Sequence, residues 1–173
     1  LLEAGATDGL LCDFGMPVFH RGFRYNCRVI AFNRKVLLIR PKIFLADDGN
    51  YRESRWFTAY KHHDLLDDFI LPMFFQEKFL LQTAPFGIQP LRLLKDGTTI
   101  GCEACEELWT PAATHIRLAL GGVDIITNGS GSHHELRKLD VRLKLAESTK
   151  KCGGVYIYAN QRGCDGGRLY FDG

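Results

Sequence analysis

Residues 25–32 and 36–40 are two almost continuously apolar runs separated by Asn33-Arg34, and this pair restricts the fold more than any other feature. Such runs, rich in β-branched and aromatic residues and broken by a short polar turn, read as a hairpin. Alternation of apolar and polar residues would mark a sheet with one wet face. Its near absence marks strands covered on both sides, as in a layered α/β protein.

The rest of the chain continues the pattern. Residues 10–14, followed by Gly15-Met16-Pro17, read as a short strand. Asp96-Gly97 lies between β-prone runs at 91–94 and 98–102 and supplies the positive φ angles of a tight hairpin turn. Thr110-Pro111 offers a cap and a first-turn proline for a helix over 112–120, which Gly121-Gly122 stops. A strand is expected at 123–127. Leu136, Leu139, Leu143 and Ala146 then recur at helical spacing within 133–151, before Gly153-Gly154. Further strands are expected at 155–159 and 169–171. Residues 61–90 mix a solvated stretch, His62 to Asp68, with apolar segments that read as a packed insertion.

With 173 residues, 46% of them hydrophobic, the chain can bury one substantial core, so a single α/β unit is expected. A net charge of +2 spread along the chain gives no electrostatic reason for a nucleic-acid or membrane partner. No apolar run reaches the roughly 18 to 20 residues of a membrane span. The opening residues lack the pattern of a signal peptide. The six irregularly spaced cysteines do not read as a disulfide framework, so a reducing, cytoplasmic setting is the expectation.

The densest chemistry is Gly101-Cys102-Glu103-Ala104-Cys105-Glu106-Glu107-Leu108-Trp109-Thr110-Pro111, where a thiol at a strand end precedes a helix-start signal. Backbone N–H groups at such turns can face a developing oxyanion, so Cys105 is a candidate nucleophile. Three other readings compete. Cys102 and Cys105 have redox spacing, but Glu103, Glu106 and Glu107 disfavour a low-pKa thiolate. A zinc site would recruit His62-His63 or His133-His134, yet adjacent histidines lack ligand spacing. Both thiols can also be small buried hydrophobes, the better description of Cys102. Lys42, at the end of Ile39-Arg40-Pro41-Lys42, is the natural cation for a site at the sheet rim, set against the commoner fate of a solvated lysine.

Several segments together resemble the amidase (glutaminase) domain of eukaryotic-type glutamine-dependent NAD synthetases, a branch of the nitrilase superfamily. They are Tyr25-Asn26-Cys27-Arg28-Val29-Ile30, Leu38-Ile39-Arg40-Pro41-Lys42, Gly49-Asn50-Tyr51-Arg52-Glu53 and Cys105-Glu106-Glu107-Leu108-Trp109-Thr110-Pro111. Ile126-Thr127-Asn128-Gly129-Ser130-Gly131-Ser132-His133-His134 and Ala159-Asn160-Gln161-Arg162-Gly163-Cys164-Asp165-Gly166 belong to the same collinear set. The resemblance implies an αββα sandwich, incomplete at both ends, over residues 1–173, with Cys105 attacking the side-chain amide of glutamine to form a thioester. It also implies that Lys42 and the backbone N–H of Glu106 stabilise the oxyanion. Glu53 falls where such enzymes carry a second glutamate that orients the lysine or a water, against the alternative of a surface ion pair with Arg52 or Arg55. Tyr51, Ser132 and Arg137 match the substrate pocket, Arg137 being suited to grip a carboxylate and Lys138 replacing it if the register slips by one. Their ordinary alternatives are a helix cap for Ser132 and a solvated helical face for the two cations.

The family's general-base glutamate precedes the segment matching residues 10–14, and Glu3 does not lie in its motif. The ATP-dependent synthetase domain, with its ATP and Mg²⁺, has no counterpart here, and this domain itself calls for no cofactor. The expected function is therefore ammonia supply from glutamine to the parent's own synthetase domain for NAD synthesis. The isolated fragment is expected to be inactive, and association into a homo-oligomer is expected. The alternatives are another nitrilase-superfamily amidase and a non-catalytic truncated homologue.

Overall fold

The computed structural model describes residues 1–173, which divide into two compact units, Leu1–Gln89 and Pro90–Gly173. The chain builds two sheets, each with its own buried cluster.

The first unit is a five-stranded sheet made of β1 (Cys12–His20), β2 (Phe23–Phe32), β3 (Lys35–Pro41), β4 (Asp67–Ile70) and β5 (Thr83–Phe86), in the order β1-β2-β3-β5-β4. The expected hairpin is the β2/β3 pair, and Asn33 and Arg34 turn it with φ of 46° and 63°. β1 runs well past the Gly15-Met16-Pro17 break read from sequence. It is an edge strand, where a residue without an N–H is tolerated.

Residues 61–90 are no insertion, because β5 pairs parallel with β3 and antiparallel with β4 and thereby completes the sheet. Phe86 is wholly buried among Tyr25, Tyr60, Phe69 and His20. The short helix α1 (Met73–Phe79) carries no buried residue.

The second unit holds β6 (Leu91–Arg92), β7 (Thr99–Ala104), β8 (Ile125–Ser130) and β9 (Val155–Asn160) in sequence order. β6 and β7 form the hairpin expected around Asp96-Gly97, whereas β7, β8 and β9 are parallel. Helix α2 (Thr114–Leu120) ends at Gly121-Gly122 and packs against β7 through Leu118. Gly101 makes that approach possible, since a Cβ there would lie 2.7 Å from a Leu118 methyl. A separate hairpin of β10 (Arg162–Asp165) and β11 (Leu169–Asp172) follows.

The long helix expected over 133–151 is shorter: α3 (Lys138–Ala146), continued by a 3-10 segment, Glu147–Cys152. Its leucines do not form an inner face. Leu136, Leu139 and Leu143 are exposed, and the one buried residue of α3 is Arg142. No helix is long and apolar enough to cross a membrane.

Candidate active site

β7 delivers Cys105 to the C-terminal edge of the parallel strands, where open α/β sheets usually place their ligands. The thiol is half-buried, and its backbone sits at φ 45°, a conformation that costs a residue with a Cβ on the order of 1–3 kcal/mol. Glu107 holds that turn from below. Its wholly buried carboxylate accepts the Ala104 N–H at 2.9 Å and the Thr114 hydroxyl at 3.2 Å, tying the 3-10 segment Cys105–Trp109 to both β7 and α2. Glu106, whose N–H was singled out for the oxyanion, is half-buried in the same segment.

Glu103 stands two residues earlier on β7 and is completely buried. It accepts the His115 backbone N–H and the His115 Nδ1–H, both at 2.9 Å, as well as the Asn128 amide at 3.1 Å and the Tyr156 hydroxyl at 2.5 Å. Burial pushes this carboxyl up, but the hydrogen bonds from His115 and Tyr156 and the His115 charge outweigh it and leave Glu103 below its ordinary range. Burial, together with the Glu103 charge, pushes the Tyr156 phenol up. The other edge of the His115 ring lies against the Leu145 carbonyl and the Ser148 hydroxyl, so this network joins β7, β8 and β9 to α2 and α3.

In the first unit Lys42 follows β3 directly and is only 3% exposed. Its Nζ donates to Glu53 Oε2 at 2.5 Å, and Glu53 also accepts the Ala46 N–H at 2.8 Å and the Asn26 amide at 2.7 Å. The Lys42 backbone is bonded on both sides, to the Asn26 carbonyl and from the Tyr60 N–H. Glu53 is therefore a partner of Lys42, while the Arg52 side chain turns to the carbonyls of Asp47, Gly49 and Tyr51. Tyr51 is half-buried on the loop between Lys42 and Glu53, its N–H on the Asp48 carbonyl.

Ser132 is buried just beyond β8, and Asn160 clamps it by donating to its carbonyl and accepting its N–H, each at 2.9 Å. Arg137 is exposed, with φ 65°, immediately before α3. Lys138 pairs with Glu135 and lies over the Trp109 ring. The arginine that reaches Ser132 is Arg142, its Nη2 lying 3.3 Å from the hydroxyl.

Cys102 is buried and accepts the Thr127 hydroxyl, and Cys102 and Cys105 share no disulfide. In Cys27, burial pushes the thiol up to about 12, which keeps it protonated and inert. No group of three or more His, Cys, Asp or Glu side chains is arranged to hold a metal ion. Sequence reading missed Glu103, His115, Asn128, Asn160 and Arg142. The available signal was polar residues lodged inside otherwise apolar strands and between the expected inward positions of a helix.

Residues 3–173 match the carbon-nitrogen hydrolase family model, and the chain belongs to that family. Its fold is the mixed α/β fold of the nitrilase superfamily. An amidase of that superfamily from Nesterenkonia aligns with 95% of the chain and 52% of its own length, at a TM-score of 0.65 and 18% identity.

Within the family, the similarity is to glutamine-dependent NAD(+) synthetases. Those of Saccharomyces cerevisiae and Macaca fascicularis are 55% and 54% identical over the full chain, which spans 24% of the length of each. The crystal structure of a glutamine-dependent NAD(+) synthetase from Cytophaga hutchinsonii superposes with a TM-score of 0.80 at 28% identity, over 99% of this chain and 26% of that one.

Proposed function

We propose that this chain is the glutamine-hydrolysing part of a glutamine-dependent NAD synthetase, with Cys105 as nucleophile. The observation that carries the reading is the half-buried thiol held in a left-handed turn at the C-terminal end of β7 and braced by Glu107. Strain of this kind persists where the surrounding structure enforces it for a purpose. The similarity to named synthetases supplies the substrate.

In the proposed reaction the Cys105 sulfur adds to the side-chain amide carbon of glutamine, and its proton passes to a base. Collapse of the tetrahedral adduct breaks the C–N bond, and the protonated nitrogen leaves as ammonia. Water then cleaves the glutamyl thioester, giving glutamate and the free thiol. Lys42 and the Glu106 N–H are assigned to the oxyanion, each donor worth a few kcal/mol in comparable sites. Glu53 orients Lys42. Tyr51, Ser132 and Arg137 are assigned to the amino-acid end of glutamine.

No residue of this chain is assigned as the family's base, so the reaction is attributed to the full parent protein. There the ammonia would serve the synthetase domain, where ATP and Mg²⁺ support amidation of nicotinic acid adenine dinucleotide. The test is glutamate release by the full-length parent and its Cys105→Ala variant. Release by the parent alone supports the reading. Turnover of simple amides but not glutamine would replace it with another amidase of the superfamily, and turnover of neither would make the chain a non-catalytic relative.

A further inference from the structure

The Lys42–Glu53 pair is assembled from two pieces of backbone, the residue after β3 and the 3-10 segment Glu53–Arg55, joined by the loop 43–52. The loop closes on itself: the Glu53 N–H donates to the Ala46 carbonyl, and the Ala46 N–H donates to Glu53 Oε2. Both of those bonds travel with the loop. One residue of the sheet holds both members of the pair, and it is Asn26, half-buried on β2. Its carbonyl accepts the Lys42 N–H at 2.8 Å, and its side-chain amide donates to Glu53 Oε1 at 2.7 Å. A carboxylate paired with a lysine only accepts, so the atom facing it is the amide nitrogen.

Two features separate this contact from ordinary strand packing. The first is the division of acceptors. Lys42 Nζ and the Ala46 N–H both address Oε2, while Asn26 takes Oε1. The terminal torsion of a glutamate is soft, and donors on both oxygens hold the carboxylate plane and, through it, the direction of the lysine ammonium. The second feature is charge. Arg24 and Arg28 share the face of β2 that carries Asn26, and Arg28 is matched to Asp13. A third cation at position 26 would compete with Lys42 for Glu53, and an acid there would compete with Glu53 for Lys42. The neutral amide does neither. The other charged groups of the loop are engaged elsewhere, Asp47 with the Ser54 N–H and Arg52 with backbone carbonyls.

We propose that Asn26 is a positioning residue for amide hydrolysis, acting through Glu53 to aim the Lys42 ammonium at the oxyanion, with no contact of its own to the substrate. This rests on the glutaminase reading and adds to it a residue to which the sequence resemblance gives no role. The rigid strand β2 thereby sets the geometry of a pair whose second member arrives on a loop. A displacement of about 1 Å in a group that stabilises a transition state costs on the order of 10²-fold in rate, which is the scale on which a lost positioning bond is felt.

The experiment measures glutamine hydrolysis by the full-length parent, by Asn26→Ala, Asn26→Asp and Glu53→Ala, and by the Asn26→Ala/Glu53→Ala double variant, with folding checked by circular dichroism. Asn26→Ala is expected to lower kcat by about 10- to 100-fold while KM changes by less than about twofold. In the Glu53→Ala background the same substitution should cost less than about twofold, because the group it acts through is gone. For Asn26→Asp, activity relative to wild type at the same pH should recover as pH falls. The added carboxyl, pushed up by the Glu53 charge beside it, then takes a proton and donates the missing hydrogen bond again. Unchanged kcat in Asn26→Ala, equal losses with and without Glu53, or an Asn26→Asp ratio that is flat with pH would make Asn26 a structural residue and overturn the proposal. Should Asn26→Ala not fold, the nearly isosteric Asn26→Asp decides alone through its pH profile. A wild-type parent that hydrolyses no glutamine removes the glutaminase reading itself, and the proposal with it.

Discussion

Glu53 in the first unit and Glu103 in the second are both carboxylates held by several donors, yet they are built to opposite ends. Glu53 is gripped by Lys42, Asn26 and the Ala46 N–H, and its side chain keeps 12% exposure. Glu103 has no exposure at all, and its ligands come from α2, β8 and β9. A sealed, fully satisfied network fixes a unique packing. A charged pair left partly open to solvent remains available for chemistry at some expense in stability. The contrast sets the architectural place of Glu103 against the chemical role proposed for the Lys42–Glu53 pair, and perturbing each should separate activity from folding.

The largest effect is expected at Cys105 itself. Cys105→Ala should lower glutamine hydrolysis in the full-length parent by at least about 10⁴-fold, as loss of a covalent nucleophile does elsewhere. Cys105→Gly should be equally inactive but more stable by about 1 kcal/mol in urea unfolding, because glycine accepts φ 45° without strain. Unchanged stability would show that the turn stores no strain.

Next come Lys42→Met and Glu53→Gln, each expected to reduce turnover by about 10²- to 10³-fold. Each single change should also destabilise by about 3 kcal/mol by leaving a buried partner uncompensated, and the double change by less than the sum. Additive losses in that cycle would deny the pair its coupling.

Glu103→Gln should act chiefly on the fold, at about 2–4 kcal/mol, with turnover per folded molecule reduced only modestly. The folded carboxyl lies below its ordinary value of 4.5, so its contribution is present above that pH and is lost as pH falls through the depressed folded value. Wild-type stability should therefore fall more steeply than that of Glu103→Gln as pH drops below about 4.5. Parallel acid slopes would show that Glu103 binds its proton alike in both states. The smallest effect is Gly101→Ala, about 1–3 kcal/mol of overpacking against Leu118 with the chemistry at Cys105 retained.

The strands that carry local signals were legible in the sequence. The β2/β3 hairpin announced itself through apolar runs and Asn33-Arg34, and the β6/β7 hairpin through Asp96-Gly97. What escaped was set by tertiary pairing. β5 is four residues, one a proline, and becomes a strand because β3 and β4 lie on either side of it. α3 has leucines at helical spacing, but its inward position is taken by Arg142, and no periodicity rule anticipates a buried arginine. For the candidate site, Cys105 and Lys42 stood out by chemistry and position. Glu103, His115 and Asn128 did not, since their pairing depends on strand register and on the angle at which α2 crosses β7.

Cys105 is proposed to form a covalent bond to the glutamine amide carbon. The most direct test is peptide mass spectrometry of the full-length parent after exposure to an electrophilic glutamine analogue, with and without glutamine. The expected result is a single adduct on the peptide bearing Cys105, suppressed by glutamine and slowed by Lys42→Met, with Cys27 and Cys102 unmodified. An unmodified Cys105, or labelling spread over the exposed Cys152 and Cys164 without protection by glutamine, would contradict it.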